Sequence, residues 1–518
     1  MVKQKKRGTP APTKVADREA SCGRRLAAIL LGLCAVATII GVASFDRLPS
    51  VIGDNAEFAI LAKSIAAGHG MRYLNHPDLL ASTKYPPGFP LMLAMWIPLF
   101  GSSMFMMKIV VLVCYVLMVP AAFLFGRRLV SEDLSLVAAL MVATSASILP
   151  YSHEVLSDVP YALFGLVTLV LVSRPGARRT ELWVGLAVCL WAYVVRSAGV
   201  SLVLAVALYL FLRARRREAY VLLGAFAVFT ALWALRNHAV GGEGSRYVGV
   251  LLDKNPYNPD LGRVGMTDMV RRIGFNFGAY MGGLLPLSFL PTLLGPISDS
   301  ASRAAVSIVI LALAVLGGYS LRRKGLLANL YIVAYMVVYL LWPQVWRTER
   351  FMLAIAPIVA VYLVAGIDSL ANYLGWRRTW ALVICAAIAA TNLYTLSQYA
   401  TRPRGYPANW RNYFATAEWA KTNTSPDAVF LCRSTYLFYM VSGRRTIQYP
   451  FTSDAHAMRS YLLKSHPDYI VLDDVGFSQT GMFLVPVLKT MTDMLEQVYV
   501  TPDPRNAVLK FSPGGVTR

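Results

Sequence analysis

Long apolar segments recur along most of this chain, and they constrain its fold more than any motif does. A helix needs about 20 apolar residues to cross a hydrocarbon core of about 30 Å. Runs near that length fall at 25–45, 105–126, 134–150, 157–173, 181–195, 197–212, 219–235, 303–321, 326–342, 351–371 and 379–397, eleven in all. With 56% hydrophobic and 15% charged residues, the chain carries more apolar surface than soluble cores can bury beneath a wettable exterior. The expected fold is therefore an all-α multi-spanning membrane protein with about eleven transmembrane helices.

Charge placement gives an independent reading, because cytoplasmic loops retain Lys and Arg. Basic clusters lie at the N-terminus (Lys3, Lys5, Lys6, Arg7, Lys14, Arg18, Arg24, Arg25), at Arg127–Arg128, at Arg174, Arg178 and Arg179, at Arg213 with Arg215–Arg217, at Arg322–Lys324 and at Arg377–Arg378. They occupy every second connection. The N-terminus is accordingly expected in the cytoplasm, with the loop 46–104 and everything after residue 397 outside, in a plasma (inner) membrane. These clusters also account for most of the net charge of +22 without any RNA- or DNA-binding motif, so no nucleic-acid partner is expected. The first apolar run reads as a retained anchor rather than a signal peptide, being long for an h-region. Cys34, Cys114, Cys189 and Cys385 lie in apolar spans, Cys22 on the cytoplasmic side and Cys432 alone outside, which implies no disulfide framework.

Three regions follow from these patterns. Residues 1–24 read as a disordered basic cytoplasmic tail, 25–397 as the membrane body and 398–518 as a small external α/β domain. Within the last, Ala428–Arg433 and Tyr469–Asp473 read as short buried strands, Met458–Ser465 as a helix and Val498–Phe511 as a hairpin turning at Pro502–Asn506. A second external segment spans 237–302; its stretch 273–297 is apolar but broken by Gly and Pro, which fits a re-entrant or interfacial piece, or two further spans. The chain lacks matching broken helices in two halves, which argues against an inverted-repeat transporter.

The loop 46–104 is where chemistry is expected, since connections between spans usually need only a few residues. Asp54 and Glu57 stand three apart at the start of a helical run, Ala56–Ala67, which places both carboxylates on one face; the bland alternative is an N-capping Asp54 and a wet helix face. Further on, Lys84 and Tyr85 precede Pro86 and Pro87, whose rings fix the local backbone and aim the lysine. An aimed external lysine suits a phosphate, against the plainer reading of interfacial snorkelling. A third cluster, with Tyr151, His153, Glu154, Ser157, Asp158 and Tyr161, lies between the third and fourth spans. Arg196, Arg236, His238, Arg347 and Arg350 sit at external span ends, against the positive-inside bias.

Several stretches, in this order, resemble the GT-C superfamily of integral-membrane glycosyltransferases: GDNAEFAILAKSIAAGHGM, KYPPGFPLMLA, HEVLSDVPYALF, VVRSAG, LWALRNHAVGG and RFMLAIAPIVA. In particular they resemble bacterial relatives of protein O-mannosyltransferases and of the lipid A aminoarabinose transferase. The resemblance implies a GT-C-type fold and transfer of a sugar from a polyprenyl-phosphate carrier to a glycan, lipid or protein acceptor outside the membrane. It makes Asp54 the catalytic acidic residue, with Glu57 beside it. It gives Lys84 to the donor phosphate. Apart from the resemblance, a leaving lipid phosphate gathers negative charge and needs preorganised cations, for which Arg196, Arg236 and Arg350 are candidates beside Lys84; Tyr85, His153, Glu154 and Asp158 are substrate-binding candidates. Asn55 stands where many relatives carry a Glu, which leaves a divalent metal ion an open cofactor; Glu57 or Glu154 would supply the second carboxylate. The rival readings are a flippase for a lipid-linked saccharide, which would need charges in mid-span, and a surface polysaccharide polymerase or ligase.

Overall fold

The computed structural model describes residues 12–514 apart from 175, 177, 242–245, 291–299, 402–403 and 504, and each of the eleven apolar segments falls on a helix. These are α1 (Pro12–Ser44), α4 (Met104–Gly126), α5 (Glu132–Ala143), α6 (Asp158–Val172), α7 (Arg179–Val195), α8 (Val200–Leu212), α9 (Arg216–Ala239) and the helices Ser300–Ser320, Leu326–Leu340, Ala356–Tyr373 and Arg378–Thr401. Among the described residues, six helices are long and apolar enough to cross a membrane unaided: Gly23–Ser44, Met104–Gly126, Arg216–Ala239, Ala301–Ser320, Ala356–Tyr373 and Arg378–Gln398. The other five are shorter, from 12 residues in α5 to 17 in α7. Burial separates centre from periphery: 72% of the apolar window is enclosed in both α4 and Ala356–Tyr373, against 11% in α9.

Three boundaries differ from the sequence reading. α1 begins at Pro12, so residues 12–24 continue the first span as helix instead of forming a loose tail; residues 1–11 lie outside the described residues. The third segment leaves the helix after Ala143 and re-forms as a 3-10 turn at Leu149–His153, because Ser145 turns its hydroxyl to the Ser288 carbonyl (2.9 Å) and Pro150 cannot donate to a continuing helix. The tenth helix starts only at Ala356, with Pro357 in its first turn as the ring favours. Residues Glu349–Met352, freed from it, form a 3-10 turn.

The broken apolar stretch is partly seen. The helix Met266–Ala279 exposes Met266, Val270, Phe275 and Phe277 and buries Arg272 and Asn276. Such a helix has an apolar outer face and a polar inner one, as an interfacial helix does. The inner pair closes the end of Leu326–Leu340: Asn276 Nδ2 donates to the carbonyls of Leu340 (3.0 Å) and Trp342 (2.8 Å), and Arg272 to that of Leu341 (3.3 Å). Residues 291–297 of that stretch lie outside the described residues.

After residue 407 the chain builds a five-stranded sheet of order β2-β1-β3-β5-β4 from β1 (Val429–Leu431), β2 (Arg445–Ile447), β3 (Tyr469–Leu472), β4 (Leu495–Val500) and β5 (Ala507–Phe511). β1 pairs in parallel with β2 and β3, which demands crossovers; the helices Thr435–Ser442 and Ala455–Ser465 supply them. Phe430, Leu431, Ile470 and Val471 are buried without alternation, as strands covered on both faces should be. β4 and β5 form the expected hairpin.

Candidate active site

The loop after α1 is built, not slack. Lys108, only 1% exposed on α4, donates to the carbonyls of Asp46 (3.0 Å) and Leu48 (2.6 Å) and pins the chain where it leaves the membrane. α2 (Gly53–Ala66) follows, capped at its end by Gly68 in a left-handed conformation (φ 81°). It is not a wet amphipathic helix: Asn55, Glu57, Phe58, Ile60 and Leu61 are buried. Nor is Asp54 its cap, which falls at Ile52; Asp54 lies in the first turn with its side chain turned to cations. A hairpin over residues 71–82, bridged at Arg72 and Ala81, returns the chain to α3 (Gly88–Phe100).

Two separate constraints set Lys84. Pro87 caps α3, and Gly88 fits against the end of α7, where a Cβ would stand 2.5 Å from the Val194 carbonyl oxygen. The start of α3 therefore lies beside the residue that follows α7, Arg196. The 3-10 turn ahead of Ala356 brings Arg350 to the same place, and Asp158 comes from the first residue of α6.

The result is a row of alternating charges. Glu57 Oε2 meets Lys84 Nζ at 2.7 Å, Lys84 meets Asp54 Oδ1 at 3.5 Å, and Asp54 Oδ2 accepts from Arg350 Nη2 at 2.9 Å. Arg350 Nε lies 3.6 Å from Asp158 Oδ2, and Asp158 Oδ1 is 3.0 Å from Arg196 Nη2. Three carboxylates and three cations sum to zero. Hydroxyls complete the set: Tyr85 donates to Asp54 Oδ1 (2.9 Å), Tyr73 to Glu57 Oε1 (2.8 Å), and Arg196 to Ser157 Oγ (3.0 Å). Lys84 and Asp54 are 39% and 26% exposed, whereas Glu57 and Asp158 are 1% and 3% exposed, so the first pair forms the accessible rim and the second the buried base.

Burial alone would raise the Asp54 carboxyl, but Lys84, Arg350 and Tyr85 outweigh it and hold the group well below the usual carboxylate range. Burial likewise opposes the charge on Lys84, and Glu57 and Asp54 reverse that and keep it firmly protonated. The rim thus offers an anionic oxygen beside a fixed ammonium.

Of the expected site residues, Asp54, Glu57, Lys84, Tyr85, Asp158, Arg196 and Arg350 come together in this row. Arg236 does not. Its guanidinium donates to the backbone carbonyls of Ser82 and Met71 and lies over the Trp233 ring, so it fastens the hairpin. His153 and Glu154 also stand apart, on the Lys108 side. His153 packs on Phe45 (5.8 Å between rings), and burial pushes it down to about 4, uncharged at neutral pH. Glu154 is raised by burial, opposed by Ser50, Lys108 and Asn55. Asn55 itself accepts from the Val155 backbone N–H, a structural tie between α2 and the turn before α6.

Among the described residues, no three His, Cys, Asp or Glu side chains are placed to hold a metal ion. Asp54 and Glu57 share Lys84, whose ammonium stands where a cation would need to sit. The donor set does not fit a divalent ion. Lys108, Tyr73 and Glu349, which accepts from Tyr151 (2.9 Å), were missed by sequence reasoning; only Lys108 carried a signal, as the one charge inside an otherwise apolar span.

The C-terminal sheet docks on the same loop. The edge strand β2 is covered by the hairpin tip, Thr446 N donating to the Asn75 carbonyl (2.7 Å) and Asn75 Nδ2 to Thr446 Oγ1 (3.0 Å). Arg445 reaches the carbonyl of His76 (3.3 Å), and Tyr406 that of Pro49 (2.7 Å).

Comparison with known proteins adds the following. The dolichyl-phosphate-mannose-protein mannosyltransferase family matches residues 84–235. The sequence has no match among curated proteins. Two groups of solved structures share the architecture. One is ArnT from Cupriavidus metallidurans bound to undecaprenyl phosphate, with a TM-score of 0.58, 13% identity and coverage of 92% of this chain and 97% of that one. The other is the Archaeoglobus fulgidus oligosaccharyltransferase. Its complex with Zn and sulfate gives a TM-score of 0.56 at 13% identity, over 93% of this chain and 73% of that one. The oligosaccharyltransferase AglB from the same archaeon, in complex with an inhibitory peptide and a dolichol-phosphate, gives 0.53 at 13% identity, over 94% and 74%.

Proposed function

We propose that this GT-C-type membrane protein, related to the protein O-mannosyltransferases and to ArnT, transfers a sugar from a polyprenyl-phosphate carrier to an acceptor hydroxyl or amine outside the membrane. The observation that carries the reading is the charge row, which puts one ionised carboxylate and one ammonium at an accessible rim with a buried base of opposite charges behind them. Basic clusters at every second connection support an external site and a cytoplasmic N-terminus.

In this mechanism the donor phosphate takes its contacts from Lys84 and Arg350, with Arg196 behind them. The acceptor atom attacks the anomeric carbon as the bond from that carbon to the phosphate oxygen breaks. The bonding pair leaves with the phosphate, and the acceptor proton passes to Asp54. An oxocarbenium-like sugar is stabilised by the same carboxylate, and one displacement inverts the anomeric centre. Asp54 is a weak base while Lys84, Arg350 and Tyr85 all hold it. A phosphate drawing two of these cations away, and adding negative charge nearby, makes it more basic when the donor is in place. Glu57 and Asp158 keep the cations aimed.

The test is transfer of labelled sugar from synthetic polyprenyl-phosphate-sugar donors by the purified protein, wild type against Asp54→Asn. Loss of transfer with donor binding retained is expected. Full activity in the variant would remove Asp54 from the chemistry, and carrier translocation without transfer would mean a flippase.

A further inference from the structure

At the end of the helix bundle opposite the charge row lies a second polar site. α4 leaves the Lys108 end and finishes at Gly126, and beyond it a cavity of about 240 Å³ is lined by Ser131, Ser320, Asp368, Ser369 and Arg378 between apolar walls. Two buried polar atoms belong to this lining that have no hydrogen-bond partner among the described residues, Ser131 Oγ and Asp368 Oδ1. Asp368 Oδ2 receives only a long bond from Asn372 (3.4 Å), and Arg378 Nε stands 3.9 Å from Asp368 Oδ1, too far for a hydrogen bond. Opposite charges held just out of contact around a polar cavity, with an idle hydroxyl beside them, leave hydrogen-bonding capacity that costs stability unless something fills it.

The surroundings identify the level of the site. Tyr319, Tyr373, Trp376 and Trp380 are 63%, 88%, 49% and 58% exposed around this end, and such aromatic rings settle at the headgroup layer. The neighbouring Arg128 and Lys324, lining a smaller adjoining cleft, keep the whole end cationic.

We propose that this cavity binds the phosphoethanolamine headgroup of a membrane phospholipid, with the ammonium on Asp368 and the phosphate on Arg378 and Ser131. The chemistry selects among headgroups. An anionic headgroup such as phosphoglycerol offers Asp368 only neutral hydroxyls and no counter-charge, and its own charge is repelled there. A quaternary ammonium has no N–H for Asp368 Oδ1. A primary ammonium tethered two carbons from a phosphate satisfies both ends at once.

The full chain is reconstituted in nanodiscs of phosphatidylcholine alone, or doped with phosphatidylethanolamine or phosphatidylglycerol. Lipid retained on transfer to detergent is read by native mass spectrometry, and thermal unfolding is followed in parallel. Phosphatidylethanolamine should be retained and should raise the unfolding temperature, and phosphatidylglycerol should do neither. Asp368→Asn should cut phosphatidylethanolamine retention by about tenfold, the loss expected for one charge-assisted hydrogen bond. Ser131→Ala, a milder change that spares the ion pair, should lower retention by about threefold, and it keeps the test alive if the first variant does not fold. Equal retention of the three lipids by the wild type, or undiminished retention by Ser131→Ala and Asp368→Asn, overturns the proposal. So does free phosphoethanolamine stabilising the protein as well as the intact lipid, which would make the occupant a soluble metabolite.

Discussion

Asp158→Asn is the sharpest probe of the charge row. The substitution keeps shape and removes only the charge between Arg350 and Arg196, whose side chains are 16% and 13% exposed. At an effective permittivity of about 20, contacts of 3.6 and 3.0 Å are each worth about 5 kcal/mol before the desolvation of Asp158 is subtracted. Removing one partner of such a buried group leaves a net loss of about 3–5 kcal/mol. Arg196 keeps Ser157 and Tyr339, and Arg350 keeps Asp54, so both arginines stay in the site but lose their common anchor. If about 2 kcal/mol of that loss falls on the placement of Arg350 against the donor phosphate, transfer slows about 30-fold. Arg350 then leans wholly on Asp54, whose carboxyl is held lower still. The acid limb of the pH profile for kcat should therefore stay put or move to lower pH. The assay is steady-state transfer from a polyprenyl-phosphate-sugar across a pH series, with Ser157→Ala as a control that removes one hydrogen bond to Arg196 and leaves every charge in place. A folded Asp158→Asn protein with kcat within twofold of wild type, or an acid limb that moves up, would refute the argument.

Other outcomes follow from the same geometry. Lys108→Met leaves the half-buried Asp46 and Leu48 carbonyls without their donor; stability should fall by about 1 kcal/mol per lost bond, and protease nicking of residues 45–53 should increase in limited digestion. Arg236→Lys should loosen the 71–82 hairpin and lower activity, while donor binding measured at equilibrium falls less than it does in Lys84→Met. Asp473, 9% exposed at the end of β3, has its carboxyl pushed by burial up to about 6, against the pull of Arg433 and Thr480. Its folded value lies above the unfolded one of about 3.9, so the native state binds more protons between those values and stability falls as pH rises from about 4 to about 6, by about 3 kcal/mol in all. Asp473→Asn should remove that slope in chemical unfolding monitored by the C-terminal tryptophans; an unchanged slope would assign the titration elsewhere.

The eleven apolar segments were legible as helices because long apolar runs must satisfy their own backbone hydrogen bonds, and six of those helices, among the described residues, are long and apolar enough to cross a membrane. The α/β character of the tail was legible from Ala428–Arg433 and Tyr469–Asp473, since strands buried on both faces read as continuous apolar runs. β2 was not: three residues, one of them Arg445, give no periodicity, and the strand is made by what it pairs with. In the site, Asp54, Glu57 and Lys84 stood out by spacing within one loop. The distribution of the arginines did not, because Arg196, Arg236 and Arg350 look alike at span ends and only the packing of α3 on α7 and the turn before Ala356 decide which two join the row. Asn55 shows the reverse: it read as a lost carboxylate, and its side-chain oxygen accepts the Val155 backbone N–H.

The zero sum of the charge row sets the traffic of the lipid. A polyprenyl-phosphate-sugar is a diester with one negative charge, but the spent carrier is a monoester that carries up to two at neutral pH. Once Asp54 has taken the acceptor proton, Lys84, Arg350 and Arg196 face only Glu57 and Asp158, and this net positive row attracts the second species more strongly than the neutral row attracts the first. A site of this kind holds its leaving lipid longer than its incoming one, and turnover is then limited by departure of the carrier. Polyprenyl phosphate added at the start of the reaction should accordingly inhibit transfer at concentrations below those at which the donor saturates it, more strongly at pH 8 than at pH 6.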